Sequence, residues 1–224
     1  MNIIYPINYR QSLVVTVLII FVLGACFAAI VYGGLPIDFT KLVTGNLNDL
    51  EIEVLGNIRT PRVVLAVLVG AGLGVSGAAL QGLFRNPLAD PSLIGVSAGA
   101  AFGAVVAIVL INSGSMTIKF GHYLIPFAAV LGSLLIIIII FSLTSSFTQS
   151  GITYMLLIGI ALNALATVGI GFLTFISTDS ELRGLTYWMM GSYGAASWDL
   201  LVPAIIIILF SILGLISLAR KLDI

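Results

Sequence analysis

Apolar residues run along this chain in six long blocks. They are Ser12–Tyr32, Val63–Phe84, Leu93–Ile111, Leu124–Leu143, Tyr154–Ile176 and Leu200–Leu218, and none contains Asp, Glu, Lys or Arg. A helix that crosses a bilayer needs about 20 predominantly apolar residues, so each block predicts one membrane span. The blocks are unbroken rather than alternating, which argues against a transmembrane β-barrel. Polar links join them. Gly33–Arg62 is the longest, and Arg85–Ser92 is short and stiffened by Pro87 and Pro91. Ser177–Asp199 is semi-apolar and predicts a short interfacial or re-entrant helix over Leu182–Met190, followed by a Gly/Ser turn. The expected fold is all-α: a polytopic helical membrane protein of six transmembrane helices plus one short outer helix, forming a single transmembrane domain over residues 1–224.

Small residues recur every four positions in three spans, and that spacing puts them on one helix face. Gly95, Gly99, Gly103 and Ala107 line the third span, and Gly70, Gly74, Ala78 and Gly82 the second. Such faces allow close backbone approach, so both helices are expected at the centre, as tight packing surfaces or as walls of a pathway. Gly159, Asn163, Thr167 and Gly171 repeat on the fifth span. An amide at mid-membrane must bond another helix or line a wet cavity, and the pattern is compatible with both. The blocks Leu134–Ile140 and Ala204–Phe210 are uniformly bulky and predict lipid-facing surface.

Composition sharpens this picture. Of 224 residues, 60% are apolar and 8% charged, far below the roughly 25% charge of a soluble domain. Nine basic and nine acidic residues balance, so net charge gives no footprint for a nucleic-acid partner. The single cysteine, Cys26, and the single histidine, His122, exclude an intrachain disulfide and make a Cys/His metal site untenable. Leu23-Gly-Ala-Cys26 resembles a lipoprotein cleavage box, but the apolar run continues to Tyr32 and is too long for a signal h-region. No G-x-x-x-x-G-K-[ST] loop is present, so this chain cannot cradle ATP by that device. No acidic pair lies inside a span. An enzyme reading has little support, and no cofactor is implied.

The link Arg85-Asn-Pro-Leu-Ala-Asp-Pro-Ser92 carries the most local information. The prolines push Asn86 and Asp90 out of helical conformation, Ser92 is expected to cap the next helix, and Arg85 could pair with Asp90. It reads as a stiff corner or as a rigid constriction at a pathway mouth. Orientation is not set by charge. Arg10, Arg85, Arg220 and Lys221 fall on one side, Lys41, Arg59, Arg62, Lys119 and Arg183 on the other.

Taken in order, Arg59-Thr-Pro-Arg62, Gly77-Ala-Ala-Leu-Gln-Gly-Leu-Phe-Arg-Asn-Pro-Leu-Ala-Asp-Pro91, Leu93-Ile-Gly-Val-Ser-Ala-Gly99, Gly159-Ile-Ala-Leu-Asn163, Leu182-Arg-Gly-Leu-Thr-Tyr-Trp-Met-Met-Gly191 and Ala195-Ala-Ser-Trp198 closely resemble the permease subunits of type II ABC importers. That family imports ferric siderophores, haem and vitamin B12. The resemblance runs from about residue 55 to the C terminus. It implies a non-enzymatic transport subunit in the bacterial cytoplasmic (inner) membrane with a cytoplasmic N terminus. It also implies three partners besides the lipid bilayer: an ABC ATPase subunit, a periplasmic or lipid-anchored substrate-binding protein, and a second permease copy. By position it implies that Arg59 and Arg62 dock the binding protein, and that Asn86 and Leu88 belong to a cytoplasmic gate. A second gate segment is expected within Thr144–Thr153. Tyr187, Trp188, Met189 and Met190 match a short helix beside substrate entry; aromatic and thioether groups suit a bulky, flat ligand there. The sequence stops at Ile224, where the family's cytoplasmic coupling segment and second repeat are expected. The chain therefore reads as a truncated permease, with a decayed or partial permease lacking autonomous transport as the alternative.

Overall fold

The computed structural model describes residues 8–112, 121–144 and 151–219. Among them there is no strand. The helices are α1 (Tyr9–Val31), α2 (Phe39–Thr44), α3 (Asp49–Glu53), α4 (Thr60–Phe84), α5 (Val96–Asn112), α6 (Gly121–Thr144), α7 (Gly151–Ile176), α8 (Asp179–Met190) and α9 (Trp198–Ala219), with a π-helical turn over Val54–Arg59 and a 3₁₀ turn over Pro91–Ile94. Among the described residues, five apolar helices are long enough to cross a membrane: α1, the continuous run Asp49–Phe84, and α6, α7 and α9. The protein is a multi-pass helical membrane protein.

The remaining expected span, Leu93–Ile111, is divided. Asp90, rather than Ser92, caps its start: Asp90 Oδ1 accepts the Ser92 N–H at 2.7 Å. One 3₁₀ turn follows, and then Gly95 enters the left-handed region at φ 82°. The α-helix proper begins only at Val96 and has 17 residues, about 25 Å of rise against a hydrocarbon core of about 30 Å. The expected short helix, Leu182–Met190, begins three residues earlier. The backbone N–H of Thr178 donates to Glu181 Oε2 at 2.7 Å, so the capping pair starts α8 at Asp179.

The chain divides into two compact units, one running through Val69 with Tyr193–Ile205 added, the other Gly70–Ser192 with the chain from Ile206. In the first, the rings of Phe27 and Phe39 meet edge-on at 5.9 Å and seat α2 on α1. Lys41 Nζ lies 3.1 Å from Glu51 Oε1, tying α2 to α3. In the second unit, α5 and α6 pack backbone to backbone. A Cβ at Gly103 would strike the carbonyl of Ala128, and one at Gly132 the carbonyl of Gly99. Ala104 and Val105 are almost fully enclosed. The small-residue face of α5 is therefore a packing surface.

Two expectations need correction. Among the described residues nothing covers the matching face of α4 at Gly70 or Gly74, where an added Cβ would meet nothing within 4 Å. The block Leu134–Ile140 is not wholly peripheral. Ile136 and Ile140, one turn apart, form the core of this unit with Ile94, packed by Leu80, Phe84, Met155 and Leu162, while Leu135 and Ile138 point outward.

Candidate functional site

The residues singled out in the sequence fall into a rim in the first unit and two ends of the helix cluster in the second. The rim is built around the π turn. Thr60 closes it by donating its N–H to Leu55 O, five residues back. Pro61 follows and is fully buried. Proline has no N–H, so it cannot supply the next five-residue bond, to Gly56 O. The indole Nε1–H of Trp198 supplies that donor at 2.9 Å. The π turn thus fastens the start of α9, consistent with the placement of such turns where a helix must make an unusual contact.

Arg59 lies in this turn and is only 8% exposed. Its Nη1 donates to Ile30 O at 2.7 Å and Val31 O at 2.8 Å, and its Nη2 donates to Leu35 O. The last carbonyls of a helix lack intrahelical donors and carry partial negative charge. Arg59 satisfies both needs at the end of α1. This differs from the docking role expected of it: the planar fork is already committed to backbone. Arg62 is exposed, and its Nη2 reaches Gly194 O at 3.1 Å. Between the two arginines opens a cavity of about 530 Å³, lined also by Tyr32, Leu35, Ile58 and Tyr193.

At one end of the second unit, the stiff corner is held by its own side chains. Asn86 Oδ1 accepts the Leu88 N–H at 2.9 Å, and Asp90 accepts from Ser92. Hydrogen bonds from Ser92, its side chain foremost and its backbone next, hold the Asp90 carboxyl below its ordinary range. The expected Arg85–Asp90 pair does not form; among the described residues the one ion pair joins Lys41 and Glu51. Arg85 instead takes φ 49° and terminates α4, with Asn86 N–H donating to Gln81 O. Leu88 projects from the corner, 84% exposed.

The α7 face divides. Gly159 presses on the 3₁₀ turn, where an added Cβ would lie 2.9 Å from Ile94 Cα. Asn163 Nδ2 reaches Ser92 O in a long hydrogen bond of 3.5 Å. Thr167 and Gly171 are exposed, and Thr167 Oγ1 donates back to Asn163 O at 2.8 Å. At the other end, α8 buries Glu181 and Leu185 and exposes Tyr187, Met189 and Met190, with Trp188 half-buried. The second gate segment expected in Thr144–Thr153 lies mostly outside the described residues.

Residues 14–224 match the model of the FecCD transport family. The chain belongs to that family. Among FecCD-like relatives, it is 44% identical over 192 residues to the hemin transport system permease protein HmuU of Yersinia pestis, covering 85% of this chain and 56% of that one. It is 33% identical over 200 residues to the cobalamin import system permease protein BtuC of Halobacterium salinarum, covering 87% and 52%. To the molybdate import system permease protein MolB of Haemophilus influenzae it is 33% identical over 190 residues, covering 83% and 53%. A solved structure described as an inward-facing conformation of a metal-chelate type ABC transporter superposes with a TM-score of 0.80 at 26% identity, covering 95% of this chain and 64% of that one. The chain thus spans about half the length of the curated relatives it matches. These relatives are named as transport permeases.

Sequence reasoning missed the π turn and the Arg59 clamp. Pro61 two residues after Arg59 was the available signal for the first.

Proposed function

We propose that this chain is a membrane-embedded permease of an ATP-driven importer for an iron complex (ferric siderophore or haem) or vitamin B12, with haem the favoured cargo. The observation that carries the reading is the 44% identity to a hemin permease over 85% of the chain. The cobalamin relative stands at 33%. The reading puts the chain in the bacterial cytoplasmic membrane with its N terminus inside. It works with an ABC ATPase, a substrate-binding protein and a second permease copy.

In this reading Arg62 is the docking cation. Its exposure at the mouth of the rim cavity supports that role, since rim charges steer and orient an acidic partner. Arg59 acts behind it as the fastening of α1. The corner Asn86–Leu88 is the cytoplasmic gate, supported by its internal hydrogen bonds and by the projecting Leu88. Thr167 and Gly171 offer pathway surface, while Gly159 and Asn163 brace the 3₁₀ turn beneath it. Helix α8, with Tyr187, Trp188, Met189 and Met190, flanks substrate entry.

The test is ATP hydrolysis in nanodiscs that hold the chain with the ABC ATPase and second permease copy of its source. Several-fold stimulation on adding the loaded binding protein supports the reading. Hydrolysis indifferent to the binding protein contradicts it.

A further inference from the structure

The rim cavity spans the level at which a lipid headgroup gives way to acyl chain. Arg62 is the last charged residue before the apolar run Val63–Phe84, and Tyr32 and Tyr193 stand with it in the cavity wall. Arginine and tyrosine at the end of a span settle at headgroup depth. The rest of the wall includes Ala29 of α1 and Val63 and Ala66 of α4. Ala66 lies one turn past Arg62, about 6 Å further into the apolar run. The cavity is therefore charged at its rim and apolar along the span. At about 530 Å³ it has the size of a small-molecule site.

Its charge is one-sided. Two guanidiniums line it and no carboxylate does. Arg59 is committed to the carbonyls of Ile30, Val31 and Leu35. Arg62 gives one bond, from Nη2 to Gly194 O, and joins no ion pair among the described residues. Its other N–H groups are left to meet an anion. A free cation above apolar walls, at the edge of a bilayer, matches an amphiphile with an anionic head.

We propose that the rim cavity is a binding site for an anionic phospholipid. The Arg62 fork holds the phosphate, the hydroxyls of Tyr32 and Tyr193 lie beside the headgroup, and the upper part of one acyl chain rests on Ala29, Val63 and Ala66. A zwitterionic lipid fits less well, because no carboxylate in the lining receives its ammonium. The site goes beyond the importer reading and does not rest on it. Under that reading the phosphate and an acidic group of the binding protein share Arg62, so the lipid covers the docking cation until the partner displaces it.

The experiment is native mass spectrometry of the full chain in detergent, offered equal amounts of phosphatidylglycerol and phosphatidylcholine with the same acyl chains. No transport partner is present, so this measurement and the importer reading fail separately. The first lipid retained by the wild type should be phosphatidylglycerol about fivefold more often. Arg62→Gln should bring that ratio near one. Arg183→Gln, which removes an exposed cation from α8, should leave it as in the wild type. Ala66→Phe should reduce retained phosphatidylglycerol severalfold with every charge in place, because the ring fills the space of the acyl chain. Excess inorganic phosphate should leave the lipid bound. The ratio on the unaltered chain needs no variant to fold, and an even ratio there would overturn the proposal. So would an undiminished preference in Arg62→Gln, an equal loss in Arg183→Gln, or undiminished retention by Ala66→Phe. Displacement by inorganic phosphate would assign the cavity to a free anion, and a lipid-free dimer would assign it to a second copy of the chain; either would overturn the proposal.

Discussion

A Cβ atom on Gly33 would lie 2.7 Å from Arg59 Nη2. Residue 33 is glycine because a guanidinium fills the space a side chain would need. That guanidinium is the far end of a flexible chain, but it is pinned by carbonyls from Ile30, Val31 and Leu35 and cannot step aside without leaving them unmatched. Gly33→Ala should therefore cost about 1–3 kcal/mol. Arg59→Lys keeps the charge and loses the fork, so it should lower stability nearly as much as Arg59→Gln. Lost bonds to a charged donor cost about 1.5–3 kcal/mol each. The double change Gly33→Ala/Arg59→Lys should fall short of the sum of the two single changes, because both act on one contact. Thermal midpoints in detergent give all four values. An Arg59→Lys chain as stable as wild type would show that charge alone matters.

The α5–α6 seam predicts a graded response to one methyl group. Gly132→Ala sets a Cβ against the Gly99 carbonyl and should destabilise by about 1–3 kcal/mol or more, since backbone cannot yield as a side chain can. Gly74→Ala in α4 meets nothing within 4 Å and should be neutral or slightly stabilising in this chain, alanine being the better helix former. Thermal unfolding of the two variants separates a glycine required by packing from one that is not.

Asp90 makes the corner acid-sensitive. Its folded carboxyl titrates lower than in the unfolded chain because Ser92 hydrogen-bonds the charged form. A depressed folded pKa contributes stability that is present above the unfolded value, about 4. That stability is lost as pH falls through the lower folded value. The wild type should thus lose an advantage over Asp90→Asn on acidification below about pH 4, and keep it constant near neutrality. Midpoints of both chains across that range check the sign. A gap that widens on acidification would contradict it.

How much of this was legible beforehand follows from the range of each interaction. Five of the six expected spans could be read because burial in lipid imposes an uninterrupted apolar run, and the α8 start lay within the capping pair Thr178 and Glu181. The glycine repeats of α4 and α5 look alike in sequence, yet among the described residues only that of α5 is covered. A repeat records that a face can pack, not what packs on it. Trp198 and Gly56 are 142 residues apart, and no local pattern joins them. Arg59 and Arg62 share one motif and diverge because the end of α1, almost 30 residues earlier, lies against only one of them. At the corner, Asp90 and Ser92 are both good caps, and the proline between them leaves the 3₁₀ turn to the earlier residue.

If Arg62 docks an acidic partner, Arg62→Glu should weaken association with the binding protein about tenfold or more at low salt, and the loss should shrink as ionic strength rises. Arg62→Gln should fall between. Surface plasmon resonance on nanodisc-embedded permease reads this directly. Equal affinities for all three chains at low salt would remove Arg62 from the interface.

The central claim, an ATP-driven importer with haem as its cargo, is tested most directly by uptake. The chain would be reconstituted into proteoliposomes with the ATPase, the binding protein and the second permease copy of its source, and accumulation of hemin, a ferric hydroxamate siderophore and cobalamin would be compared with and without ATP. The account predicts ATP-dependent hemin accumulation that exceeds the other two and vanishes without the binding protein. Hemin levels that ATP leaves unchanged, beside active uptake of either other cargo or of none, would contradict it.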